Sequence, residues 1–296
     1  MAKVLNIYNR IEKLRQRYQA SAPKKESLLS LISETEVAEQ VYNSNAIENS
    51  TLSLDETEKI LQQVELDRYI SERELFEAKN LARVVTYIYS KAKQHELDLD
   101  MILLLHKMLI SNIRDDIAGR FRKEDEWVRV GNHIACAPNL IVGKLNDMFM
   151  HYYSTPTENI IKRIALFHLN FEDVHPFVDG NGRIGRVLNN YLLIREGYVP
   201  INIKFIDRAD YYNAFQEYDE KRRTQIMEEI VGKAITNSYH KRLAYLEEME
   251  IVTLNKFAKL NNTSHSNLIN KAKRQTIDAY TEKGIWKIGI FNEELN

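Results

Sequence analysis

The 296-residue sequence predicts an all-α fold, and three observations carry that reading. Gly (10) and Pro (5) are scarce while charged residues reach 28%, a composition that suits helices better than turns and sheets. Apolar residues recur at helical spacing along most of the chain. The alternating, turn-bounded texture of a hairpin occurs convincingly only once before residue 250.

Taken in order, ESLLSLISETEVAEQVYNSNAIEN (26–49) places Leu29, Ile32, Val37 and Val41 on one helical face. Ser53-Leu54-Asp55-Glu56 is a capping-box start for the next helix. Helices are expected over 71–94 and over 98–113, the latter strongly apolar in MILLLHKMLI. From Trp127 to Pro138 the residues alternate around Gly131-Asn132, a hairpin signature. Helix is expected again from about Thr157, with Ile160, Ile161, Ile164, Ala165, His168 and Leu169 on one face, and it should stop near Val174 because Pro176 disfavours helix at His175. A further helix begins around Gly182, repeats apolar residues at Ile184, Val187, Leu188, Tyr191 and Leu192, and closes at Gly197. Residues 250–296 read as helix, turn, helix and a short strand or wing, GIWKIGIF. These signals divide the chain into an N-terminal helical region (1–75), a central core (76–247) and a C-terminal module (248–296).

Composition excludes several classes. The formal net charge is −1, so the whole chain makes no electrostatic case for nucleic acid or anionic membrane. The lone Cys136 precludes an internal disulfide or a multi-cysteine metal site and suits a reducing, cytoplasmic setting. The first residues carry no signal-peptide h-region, and no run approaches the ~18 apolar residues of a membrane span. His106, His133, His151 and His168 show no metal-ligand spacing and read as packing or surface residues.

The stretch HPFVDGNGRIGR (175–186) carries the chemistry. Gly180, Gly182 and Gly185 match G-x-G-x-x-G, but a helix rather than a buried strand precedes them, so the dinucleotide reading fails. A tight turn opening a helix still presents free N–H groups and a dipole to an anion. Arg183 and Arg186 lie three apart, so both can lean over that helix end, and guanidinium forks suit polyphosphate oxygens. Asp179 beside phosphate suggests a bridging divalent cation such as Mg²⁺. His175 is a candidate base near neutral pH.

His175-Pro-Phe177-x-Asp179-Gly180-Asn181-Gly182-Arg183-x-x-Arg186 resembles the Fic-family signature at every fixed position. LFHLNFEDVHPF resembles that family's approach helix, and IAGRFRK (117–123) with the hairpin resembles its flap region; the resemblance spans roughly 30–245. It implies a Fic-type helical bundle with a β-hairpin flap, and a protein adenylyltransferase that moves AMP from ATP to a Ser, Thr or Tyr hydroxyl of a target protein or of itself. On these positions it implies His175 as catalytic base and Asp179 as Mg²⁺ ligand. Asn181 and the Gly180–Gly182 amides would hold the α-phosphate, with Arg183 at the β-phosphate and Arg186 at the γ-phosphate. Tyr212, with Tyr211, would close over the base. Ser44-Asn-Ala-Ile-Glu48-Asn49 resembles the family's inhibitory motif, which implies that Glu48 pairs with Arg186 and blocks the productive ATP pose. The family often forms dimers, so a homodimer is one implied assembly. Donors such as UTP or CDP-choline remain open, as does a DNA-binding regulator whose core only senses nucleotide.

Residues 250–296 hold seven Lys/Arg (256, 259, 271, 273, 274, 283, 287) against five acids (250, 278, 282, 293, 294). The module resembles a winged or excisionase-like helix-turn-helix domain, with DNA contact and protein docking both open as its role.

Overall fold

The computed structural model describes residues 2–130 and 133–291. The helices and strands follow in chain order: α1 (Ala2–Ser21), α2 (Glu26–Ile47), α3 (Leu54–Leu61), α4 (Glu72–Lys91), α5 (Leu99–Ile110), β1 (Arg129–Val130), β2 (His133–Ile134), α6 (Ile141–Ser154), α7 (Ile160–Val174), α8 (Asn181–Arg195), α9 (Arg208–Lys221), α10 (Gln225–Leu246), β3 (Glu250–Thr253), α11 (Leu254–Leu260), α12 (His265–Lys273), β4 (Ala279–Glu282) and β5 (Ile285–Ile290). The chain is mostly helical, as its composition and periodicity predict.

Helix starts follow local capping chemistry. Ser53 caps α3 through its hydroxyl on the Glu56 amide, while the Glu56 carboxylate returns to the Ser53 amide. Helix α7 starts three residues later than the sequence predicts, because Asn159 is its cap and accepts from the Ile161 amide at 2.9 Å. It ends as predicted at Val174, but His175 adopts left-handed backbone (φ 48°) rather than the extended conformation that a following proline favours.

The chain divides into two compact units. One spans residues 37–231 and is built on α7 and α8 packed side by side, with α4, α5 and α6 against them. Helix α8 is buried on almost every side from Arg183 to Ile194, which fixes its first turn as a rigid platform. Strands β1 and β2 pair antiparallel, Arg129 opposite Ile134 and Val130 opposite His133. The predicted Gly131-Asn132 turn of this hairpin lies outside the described residues.

The other unit joins residues up to 36 with those from 232 onward. Arg17 of α1 pairs with Glu247, and Tyr18 packs edge-on against Tyr239 of α10 with ring centroids 5.5 Å apart. Arg242, 2% exposed at its side chain, reaches Glu36 at 2.6 Å. These long-range pairs group the N-terminal helix with the C-terminal residues, whereas a sequence-based division cuts the chain into consecutive segments. The expected boundary near 248 falls between the end of α10 and β3. In the C-terminal module, β5 is the central strand of a three-stranded antiparallel sheet ordered β3-β5-β4, with α11 and α12 packed on it around Leu254, Ala258, Leu268 and Ala272.

Candidate active site

The loop between α7 and α8 takes its shape from side chains that bond the backbone. Asn181, 2% exposed, accepts from the Phe177 amide at 2.8 Å and donates to the Phe177 carbonyl at 2.8 Å. Both ends of its amide are thereby engaged, so the side chain braces the loop that leads into α8. Gly180 takes left-handed backbone at φ 85° at the α8 N-cap, a conformation open to glycine at little cost.

His106 carries the other side of the loop, a role the sequence does not reveal. It is buried and stacks on Phe177 at 3.6 Å between centroids. Its Nδ1 accepts from the Gly119 amide at 3.1 Å, which leaves Nε2–H to donate to the Asp179 carbonyl at 3.0 Å. Burial pushes its pKa down to about 4, so the ring stays neutral in this role. Arg122, 4% exposed, donates to the carbonyls of His175 (2.9 Å) and Cys136 (2.8 Å). It thereby ties the end of α7 to the chain leaving the hairpin.

On this frame His175 sets its Nδ1 3.4 Å from Glu172 Oε2. Glu172 is buried, which by itself raises its pKa, yet His175, His168 and Arg186 hold it below the usual carboxylate range. Asp179 is pinned between two guanidiniums: Arg73 at 2.7 Å on one oxygen and Arg183 at 3.2 Å on the other. Burial raises its pKa, and the nearby Arg183 and Arg73 outweigh that and lower it. Glu77 bridges the same two arginines, at 3.0 Å from each.

Arg186 is wholly committed elsewhere. It donates to the Ser44 hydroxyl (2.9 Å), the Ser44 carbonyl (2.8 Å), Glu48 Oε1 (2.8 Å) and the Tyr211 hydroxyl (3.1 Å). Burial opposes its charge, but the Tyr211 oxygen and Glu48 more than restore it, so its pKa lies above the ordinary value. Glu48 sits just past the last residue of α2 rather than within the helix, its amide bonding the Asn45 carbonyl at 3.0 Å. Its carboxylate lies directly on Gly182: a Cβ there would collide with Glu48 Oε1 and come within 3.2 Å of Arg186 Nη1. A carboxylate thus occupies the anion-binding end of α8. The two arginines that the sequence sets over one helix end are drawn to opposite partners, Arg183 to Asp179 and Glu77, Arg186 to Glu48 and Ser44.

A cavity of about 480 Å³ opens beside this helix end, lined by His175, Gly182, Glu48, Tyr211, Tyr212 and Phe215 among others. Tyr212 is 38% exposed and donates to the Ile47 carbonyl at 3.2 Å. Tyr211 is buried, and its hydroxyl lies 2.7 Å from His168 Nε2. His133 on β2 also borders this cavity. Its Nδ1 lies 3.2 Å from Asp219 and its Nε2 3.0 Å from the Asp173 carbonyl, so it tethers the hairpin to α9 and to the end of α7. Ligand atoms of His133, Asp173 and Asp219 come within 4.8 Å of one another. The Asp173 carboxylate, however, is held by Arg222 at 3.2 Å and Lys144 at 3.9 Å, which favours an ion-pair tether over a metal site.

Residues 96–193, from just before α5 to near the end of α8, match the Fic/DOC family. The chain carries a Fic domain. It is 34% identical over 177 residues to protein adenylyltransferase fic-1 of Caenorhabditis elegans, a match covering 58% of this chain and 34% of that protein. The chain therefore spans about a third of the length of that relative. A Fic-domain signaling protein from Bacteroides thetaiotaomicron superposes with a TM-score of 0.72 at 21% identity, covering 80% of this chain and 97% of the other. A Fic family protein from Desulfovibrio desulfuricans gives a TM-score of 0.70 at 18% identity, covering 98% and 96%. At such identities these two structures speak to the fold alone. Among the described residues of this Fic-domain chain, no helix is long and apolar enough to cross a membrane.

Proposed function

We propose that this chain transfers AMP from ATP to a hydroxyl of a protein substrate, and that Glu48 holds the reaction off. One observation carries the reading: His175, the α8 N-terminus and Glu48 line the same cavity. This shared lining supports reading His175 as a base, the helix end as an anion cradle and Glu48 as a competing carboxylate, in one space of nucleotide size.

The chemistry follows from the residues. With Nδ1 of His175 facing Glu172, Nε2 is the nitrogen left to take the target hydroxyl's proton. The freed oxygen bonds to the α-phosphorus as the bond to the β-phosphate oxygen breaks, and pyrophosphate leaves. The first-turn backbone amides of α8 around Gly180–Gly182 carry the α-phosphate charge, Arg183 the β-phosphate and Arg186 the γ-phosphate. Most of the rate enhancement then comes from position and preset charge. Tyr212, beside the buried Tyr211, covers the base. A divalent cation suits Asp179, because the carboxylate is kept ionised and one carboxylate with phosphate oxygens is a usual Mg²⁺ environment. Mg²⁺ there would neutralise charge on the phosphates, and Arg73 would have to yield the oxygen it now holds. The short β1–β2 hairpin borders the cavity and suits strand pairing with a target segment.

In the resting arrangement Glu48 both consumes Arg186 and covers Gly182, so a triphosphate would have to displace it. The test is labelling with α-labelled ATP and Mg²⁺. The native protein should be nearly silent, Glu48→Gly should label itself or an added target, and Glu48→Gly with His175→Ala should not. Equal labelling of native and Glu48→Gly proteins would refute the brake, and AMP-protein from the His175→Ala form would remove His175 from the base role. A panel with UTP and CDP-choline separates AMP transfer from other donors. ATP binding without covalent product would instead favour a nucleotide sensor.

A further inference from the structure

The C-terminal module gathers most of its unpaired positive charge on and just after one helix, α12. Its four described acids are neutralised within their own unit: Glu248 by Lys25 at 3.0 Å, Glu250 by Lys256 at 3.0 Å, Glu282 by Lys287 at 2.6 Å, and Asp278 by Arg17 at 3.2 Å. Residues 251–277 contain no acidic side chain at all. Lys259, Lys271, Lys273 and Arg274 are exposed and have no carboxylate partner among the described residues. A net surplus of two over residues 250–296 thus conceals four cations with no carboxylate partner among the described residues, three of them on or just after α12.

The geometry of α12 gives that charge a direction. Leu268 and Ala272 anchor the helix in the module's core. Opposite them run two adjacent stripes at i, i+4, i+7 spacing: Ser266, Asn270 and Lys273, and Asn267, Lys271 and Arg274, all exposed. Neither stripe contains an apolar residue, so the face lacks the anchors that a protein groove would demand. It offers amide and hydroxyl groups that donate and accept, flanked by cations. Helix α12 follows α11 through the short turn 261–264. Strands β4 and β5 form a hairpin whose turn, Lys283-Gly284, has both φ values positive (50° and 77°), the two-residue geometry that suits a twisted ribbon.

From this charge census and polar face we infer that the C-terminal module binds duplex DNA, with α12 entering the major groove. Lys271, Lys273, Arg274 and Lys259 contact phosphates, and Ser266, Asn267 and Asn270 face the base edges. The inference is independent of the nucleotidyl-transfer reading, because no residue of the cavity takes part in it.

The test uses the full chain and a fluorescein-labelled duplex of mixed sequence, about 30 base pairs long to exceed the span of one docked module, followed by anisotropy. Binding should be clear at about 50 mM NaCl and about 100-fold weaker at about 200 mM, as release of about four counterions requires. Lys271→Glu with Lys273→Glu should weaken binding by ~10-fold or more, Lys271→Gln with Lys273→Gln by less, and Lys79→Glu with Lys93→Glu hardly at all. Unchanged thermal melting of each variant would show that the module is folded. Absence of binding at the lower salt, equal loss in the Lys79/Lys93 control, or equal binding of polyglutamate would overturn the inference, the last in favour of an acidic protein partner.

Discussion

The loop at the head of α8 and the exposed face of α12 use the same cations in opposite states. At the head of α8, Arg73, Arg183 and Arg186 are each paired, with Asp179, Glu77 and Glu48 as partners. On α12 the cations face solvent with no carboxylate beside them among the described residues. Both arrangements suit a phosphate ligand, but the first must lose a contact before it binds and the second need not. A site whose counterions are its own carboxylates is controllable, since any event that removes the carboxylate opens it. A site with free cations is limited only by salt.

The contrast can be broken at the paired end first. His175→Ala in the Glu48→Gly background should lower transfer by roughly 10²–10⁴-fold, the usual span for loss of a general base, read as initial rates of AMP incorporation. Glu48→Gln tests the charge alone. It keeps the length but weakens the hold on Arg186, so it should raise labelling above native by about tenfold, as loss of one charge-assisted hydrogen bond implies, while staying below Glu48→Gly. Labelling equal to native would assign the brake to the bulk of the side chain.

A middle-sized effect concerns pH. Burial pushes the pKa of both His106 and His168 down to about 4, while an unfolded histidine titrates near about 6.5. Both rings are neutral in the folded chain, so the unfolded state binds more protons between these values. Their contribution is complete above about pH 6.5 and is lost as pH falls toward about 4, at about 1.4 kcal/mol per pH unit for each ring. Urea midpoints taken from about pH 7 to about pH 4.5 should therefore fall, and His106→Gln should flatten the slope by about one proton. An unchanged slope would place the His106 proton uptake elsewhere.

The smallest effect is at Arg73. Its side chain is 54% exposed, and pairs of that kind are worth about 0–1 kcal/mol. Arg73→Ala should tighten Mg-ATP binding to the Glu48→Gly protein by no more than about fivefold, measured by titration calorimetry. Weaker binding would make Arg73 a ligand contact rather than a competitor for Asp179.

What the sequence revealed, and what it hid, follows the range of the forces involved. The capping box at Ser53 and Glu56, the end of α7 before Pro176 and the apolar face of α8 are local, and each was legible. The start of α7 falls three residues beyond the expected Thr157 because Asn159, just ahead of the apolar run from Ile160, caps the helix. The glycine loop was legible as a tight turn opening a helix from its residue types. Its supports were not: His106 stacks on Phe177 from 71 positions away, and Arg73 meets Asp179 across 106. No periodicity or motif marks such partners. Asn181 adds a bond that the motif does not announce: its side chain braces the loop on the Phe177 backbone four residues away. In the C-terminal module, net charge understated the surface, because a count of residues cannot show which cations the fold has already neutralised.

The proposed brake has Glu48 holding the place of the nucleotide, and intact mass tests it. Native and Glu48→Gly proteins are each incubated with Mg-ATP and no other protein, then weighed. The Glu48→Gly protein should gain the mass of AMP while the native protein stays unmodified. Identical spectra for the two proteins, both modified or both unmodified, would contradict the brake.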